Sequence, residues 1–195
     1  MPYSDFDLRK AKSTFGLTIV ETEDLFSTVE EAEISDFLSE TLKRNVPLAL
    51  AIGTEKASSE LIIINVFLEI KRKLNISLFS GIEFTVDKER GLSGLCDFII
   101  SRSPEQLFPD APVIAVVAAK NEKIMAGMGQ CIAEMVAMSI FNEREGRPLP
   151  RVYGAVTTGH GWKFLKLEGD TVSIDDLPAL FGGLDHVFSL IDRAG

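Results

Sequence analysis

The sequence predicts an α/β protein, a mixed central sheet flanked by helices. Three observations carry that expectation. The stretch "APVIAVVAAK" (111–120) is a short apolar run rich in β-branched residues, bounded by Pro112 and by polar residues, the pattern of a buried central strand. Two segments of helical length and helical spacing flank it, "SSELIIINVFLEIKRKL" (58–74) and "KIMAGMGQCIAEMVAMSIFNE" (123–143). The order of segments is helix, three strands, helix, two or three strands, which layers helices around one sheet.

Taken in order, "FGLTIVE" (15–21) reads as a strand. "EEAEISDFLSETLKR" (30–44) has helical spacing, with Ile34, Phe37, Leu38 and Leu42 on one side and acids opposite. Residues 46–54 read as an apolar connection. In the helix 58–74, Ser58 or Ser59 can cap the first turn. At 100° per residue Asn65, Glu69, Arg72 and Lys73 gather on its polar side, whereas Glu60 falls near Ile63, Ile64 and Phe67. "SLFSGIEFTVD" (77–87) is a strand, "KERG" a turn and "LSGLCDFIIS" (92–101) a second strand; 113–120 is the third. The helix 123–143 is expected to be firm only from Gly127 or Gly129 onward. "RVYGAVTTG" (151–159) and "WKFLKLEG" (162–169) form a hairpin across His160 and Gly161, and "TVSID" extends it. "LPALFGGLDHVFSLIDR" ends in a helix from Ala179 or Phe181.

The chain has 195 residues, 46% hydrophobic and 25% charged, enough for a single domain with its own core. Cys96 and Cys131 have no metal-ligand spacing and read as two buried thiols in a reducing compartment. No apolar region follows the charges of "MPYSDFDLRK", and no apolar run nears the roughly 20 residues of a membrane helix. A cytoplasmic protein with no membrane partner is the expectation. The net charge of −9 argues against a surface coated for nucleic acid. Its distribution is uneven: residues 1–55 hold 11 acids and 5 bases, while residues 71–166 hold 10 acids and 13 bases. The basic middle permits a local anion-binding surface without demanding one.

Alternation along a strand puts Ala118 and Lys120 on one face of 113–120 and Ala119 on the other. In 92–101, Asp97 shares a face with Leu95 and Ile99. Asp is disfavoured in strands, and burying its charge is costly without a partner. With the two strands adjacent, Asp97 and Lys120 project together, either as a buried ion pair closing the sheet or as a reactive pair.

An acid at one strand end, a following strand ending in x-x-Lys and then a helix carrying Gln resemble the PD-(D/E)XK, or restriction-endonuclease-like, nuclease superfamily. The phrases "LFSGIEFTVD", "CDFIISRSPEQLF", "GQCIAEMVA" and "YGAVTTGHGWKFLKL" resemble an uncharacterised bacterial family of that superfamily, many of whose members are cyanobacterial. The resemblance implies a restriction-endonuclease-like core over about 56–170, with additions at both ends. It implies metal binding by Asp97, with Mg²⁺ (or Mn²⁺) as cofactor, and water activation and charge stabilisation by Lys120. It implies support from Gln130, and a first-helix acid, Glu60, added to the metal site. It also implies phosphodiester hydrolysis in nucleic acid, DNA foremost, and a homodimer by analogy with paired cutters.

The departure is Ala118, where the pattern wants Asp or Glu. Alanine has no ligand atom, so metal binding is impaired or lost, and the alternative is an inactive nuclease-fold module that binds nucleic acid or a protein. Glu134, four residues after Gln130 and on the same helix face, is a replacement acid or a plain solvated or salt-bridged helix acid. Glu83 is a weaker substitute. Met125, Met128, Met135 and Met138 read as packing. His160 and His186 lack partners at ligand spacing, Trp162 and Phe164 read as core before base-stacking, and "GMGQ" is not a phosphate loop.

Overall fold

The computed structural model describes residues 2–22, 25, 33–120, 123–175 and 179–180. One mixed sheet runs through it in the order β1-β7-β6-β5-β4-β3-β2, with the two-residue β8 beside β6. The strands are β1 (Thr18–Thr22), β2 (Ser77–Glu83), β3 (Leu95–Ser101), β4 (Val113–Ala119), β5 (Val152–Thr157), β6 (Gly161–Glu168), β7 (Thr171–Asp175) and β8 (Ala179–Leu180). β2, β3 and β4 form an antiparallel meander, and β4 pairs with β5 in parallel. A parallel pair needs a crossover, which is α5 (Ile124–Arg144). At the far edge β1 joins β7 in parallel, Thr18 opposite Thr171.

All seven residues of β4 are buried, because helices cover both faces of the sheet. On one face Ile99, Val116, Ala118 and Val156 pack with Met128, Ile132 and Met135 of α5. On the other, Phe98, Ala115, Val117 and Ala119 pack with Val66, Phe67 and Ile70 of α4 (Ile64–Lys73). Phe67 meets Trp162 edge-on at 6.2 Å, and Trp162 stacks on Phe164 at 6.1 Å. These rings belong to the core, as does every methionine of α5 except Met125, which is 62% exposed.

Several elements differ from their sequence-based expectation. A helix, α1 (Leu8–Phe15), precedes β1, capped by the Asp7 carboxylate and ended by Gly16 at φ 68°. Helix α2 (Asp36–Ile52) begins at its Ser35 cap and runs on through 46–52, with Pro47 inside it, stopping at Gly53 with φ 67°. Pro47 forgoes one backbone hydrogen bond, which made that stretch look like a connection. The next helix starts earlier, at α3 (Glu55–Ser58), capped by Thr54 rather than Ser58 or Ser59. It passes through a π segment, Ser59–Ile63, into α4. The wider π turn changes the helical phase and rotates Glu60 out of the apolar face. Helix α5 is regular from Ile124, ahead of both glycines, since packing against β4 and β5 overrides their low propensity. By length and composition α5 could cross a membrane, against expectation, but 67% of its apolar window is buried in the protein. At the other end, Ala179–Leu180 pair with β6 as strand instead of opening a helix, and 181–195, with His186, lie outside the described residues.

Candidate functional site: a carboxylate and a lysine at a fork in the sheet

The pairing of β3 with β4 runs to Phe98 opposite Val117. One residue further out, the Ala119 N–H donates to Asp97 Oδ2 at 2.9 Å. On the other side of Asp97, Gly81 of β2 stands between the pairs Ser80–Phe98 and Ile82–Cys96, with φ 62°. That conformation is left-handed and suits glycine, so β2 kinks where the carboxylate sits. Lys120 follows β4 directly. Its N–H donates to Thr157 O at 2.8 Å, which ties it to β5. Its stem lies over Gly127 of α5, where an added Cβ would stand 2.9 Å from Lys120 Cγ and 2.7 Å from Val156 Cγ1.

Lys120 Nζ and Asp97 Oδ2 are 4.0 Å apart, with side chains 22% and 24% exposed. Burial pushes the Asp97 carboxyl above its ordinary value, while the Ala119 amide and Lys120 pull it back. The result is a loose, partly wet pair. Ala118 belongs to the α5-side core and Ala119 to the α4-side core, so Ala118 shares the face of Lys120, as alternation requires. Ala118 is fully buried and carries no donor.

Helix α5 contributes Gln130 and Glu134 to the same side. Glu134 is fully buried, neither solvated nor salt-bridged. Gln130 Nε2 donates to Glu134 Oε1 at 2.9 Å, and Glu134 Oε2 has no hydrogen-bond partner. Burial pushes the Glu134 carboxyl up to about 8; Gln130 opposes this, nearby Asp97 adds to it, and Lys120 opposes it. Both cysteines are free and buried; burial pushes both thiols up, and the charge of nearby Glu134 pushes them further.

The structure thus gathers Asp97, Lys120, Gln130 and Glu134, and leaves Glu60 out. Glu60 points to solvent and pairs with Lys56 at 3.7 Å. Glu83, at the end of β2, is exposed. The first-helix acid within electrostatic reach of the pair is Glu55. Burial raises its carboxyl, Lys120 lowers it and Asp97 raises it again. A signal for it was present in "GTEKAS": Thr54 is a good cap, and an acid directly after a cap sits at the helix mouth. His160, in the β5–β6 turn, has Nδ1 3.5 Å from Thr158 Oγ1. Among the described residues no three His, Cys, Asp or Glu side chains assemble as a metal cage. No family model, curated protein or solved structure matches this chain.

Proposed function

We propose that this chain is a PD-(D/E)XK-type phosphodiesterase core with a weakened metal centre, directed at DNA. The convergence of Asp97 and Lys120 at the fork between β3 and β4, 4.0 Å apart and open to solvent, carries the reading. The donors are hard oxygens, which fit Mg²⁺ or Mn²⁺ rather than a soft metal. Asp97 would hold the ion, with Glu55 within electrostatic reach and Glu134 Oε2 the unpaired carboxyl oxygen behind it. Such an ion supplies an activated water and neutralises charge on the phosphoryl oxygens. Lys120 provides a cation beside that position, for orienting water and stabilising developing negative charge. Gln130 fixes Glu134 through its amide.

Ala118 removes the usual second carboxylate, and protonated Glu134 is a poor substitute. Loss of second-shell partners alone costs about 10–100-fold in metal affinity or activity, so loss of a direct ligand costs at least that order. The full burial of Ala118 also favours a second reading, a nuclease fold that binds nucleic acid or protein without cutting.

Plasmid nicking with Mg²⁺ or Mn²⁺, beside metal calorimetry, separates the two. Nicking by the parent that disappears in Asp97→Ala and Lys120→Ala supports the enzyme. Metal binding and nicking by Ala118→Glu alone supports the binding module. Cleavage that survives Asp97→Ala overturns the site.

A further inference from the structure

A second cleft lies on the α5 side of the sheet, between the end of α1, the C-terminal half of α5 and the β6–β7 turn. Its volume is about 220 Å³. Phe15, Val136, Ile140 and Leu167 give it an apolar floor. Arg90, Glu143 and Asp170 stand at its rim, all three exposed. Along α5, Val136 and Glu143 follow Gly127 by 9 and 16 residues, which is roughly 14 and 24 Å of helix. The cleft is therefore remote from the Asp97–Lys120 fork, whose lysine stem lies over Gly127.

Each charged group is held by a different piece of backbone. Arg90 sits in a tight turn: its N–H donates to Asp87 Oδ1 at 3.1 Å, and Asp87 and Leu92 exchange both backbone bonds around it. Its guanidinium lies 5.8 Å from the centroid of the Phe15 ring. Asp170 is in the β6–β7 turn, and its carbonyl accepts from the Thr18 N–H at 2.9 Å, which ties the turn to β1. Glu143 is in the last turn of α5, where the helix dipole disfavours an acid. Its neighbour Arg144 turns to Asp87 and to Val86 O instead. Among the described residues Arg90, Glu143 and Asp170 form no ion pair, although a guanidinium and two carboxylates share one cleft. Opposite charges fixed on separate elements around an apolar floor leave a gap that suits a ligand with both charges and an apolar body.

We propose that this cleft binds a free α-amino acid with an apolar side chain. The carboxylate turns to Arg90, the ammonium to Glu143 and Asp170, and the side chain lies on the apolar floor. Pockets for drug-sized ligands run to roughly 300–1,000 Å³, so this smaller cleft takes a smaller molecule. A guanidinium grips a carboxylate through two parallel N–H donors. An ammonium offers three donors, enough for both acids and for the Ser139 hydroxyl, which also lines the cleft. The site is separate from the phosphodiester chemistry proposed above and does not depend on it.

The experiment is calorimetric titration of the full chain with L-leucine, with L-leucinamide, which lacks the carboxylate, and with isocaproate, which lacks the ammonium. Leucine is expected to saturate a single site. Each analogue is expected to bind at least roughly tenfold more weakly, because one charged rim group is left unmatched. Arg90→Gln should weaken leucine about tenfold and leave leucinamide as it was. Glu143→Gln combined with Asp170→Asn should weaken leucine about tenfold and leave isocaproate as it was. All three side chains are exposed, so these variants keep the fold, which circular dichroism checks. Absence of saturable leucine binding overturns the site. So does leucine binding that the variants leave unchanged, or equal affinity for leucine and either analogue. Metal binding and nicking do not enter these ratios, so failure of this site and failure of the nuclease reading are told apart.

Discussion

Lys120 Nζ stands at the outer limit of ion-pair contact with Asp97, and both groups are partly wet, so the pair contributes little to stability. Truncating either should leave the fold intact. Asp97→Ala is expected to shift the urea midpoint slightly while abolishing any metal binding, a contrast that circular dichroism and calorimetry measure directly. Glu134 is the opposite case. Its carboxyl is raised from 4.5 to about 8, so the folded state holds a proton that the unfolded chain releases. Stability from this group is fully present below pH 4.5 and is lost as pH rises toward 8. At about 1.4 kcal/mol per unit, the loss is on the order of a few kcal/mol. Glu134→Gln should flatten that slope and stabilise the protein at pH 8. An unchanged slope in urea melts at pH 5, 6.5 and 8 would show that another group is responsible. Asp97 and Lys120 were legible because a carboxylate and a lysine are conspicuous in apolar strands. Gln130 and Glu134 were legible as one helix face. The burial of Glu134 was not, because an acid on a helix is ordinarily solvated and nothing local marks which face meets the sheet.

Among the elements, strands were easier to place than helix ends. A strand buried on both faces announces itself as an unbroken apolar run, and β4 does so. Helix phase is more fragile. One π segment at Ser59–Ile63 was enough to turn Glu60 outward and leave Glu55 as the acid within electrostatic reach of the site. Helix α5 holds its place by devices that a periodicity count does not see. Gly127 lets it approach Lys120, and Gly127→Ala should displace the lysine stem, read as a changed acylation rate of Lys120 by mass spectrometry. At its other end, buried Asn142 accepts from Val113 N–H and donates to Val113 O, both at 2.8 Å. Asn142→Ala leaves both backbone groups of β4 buried and unpaired, and a loss of roughly 2–4 kcal/mol is expected in urea melts.

For the whole molecule, the α/β class and the helix–meander–helix–strand order followed from the pattern of segments, while the outer half of the sheet did not. Pairing of β1 with β7 joins Thr18 to Thr171, and no local signal in "FGLTIVE" names a partner so far along the chain. β2 closes the other edge. There the Gln106 side chain bonds both ways with Leu78, Nε2 to Leu78 O at 2.7 Å and Leu78 N–H to Oε1 at 3.3 Å, standing in for one rung of a further strand. Gln106→Ala should bare that rung and promote self-association, measurable by sedimentation velocity at rising concentration.

The β1–β7 pairing also sets a timetable at the ribosome. Thr18 is translated some 150 residues before Thr171, and at about 5–20 residues per second the gap is roughly 8–30 s. Throughout that interval β1 has no ladder to join, while the meander that carries Asp97 and Lys120 can already assemble. The sheet is therefore built from its β2 edge across to β7, and the earliest-made strand is among the last to dock. A nascent chain stalled before residue 171 would hold the Asp97–Lys120 fork in place with β1 still unpaired.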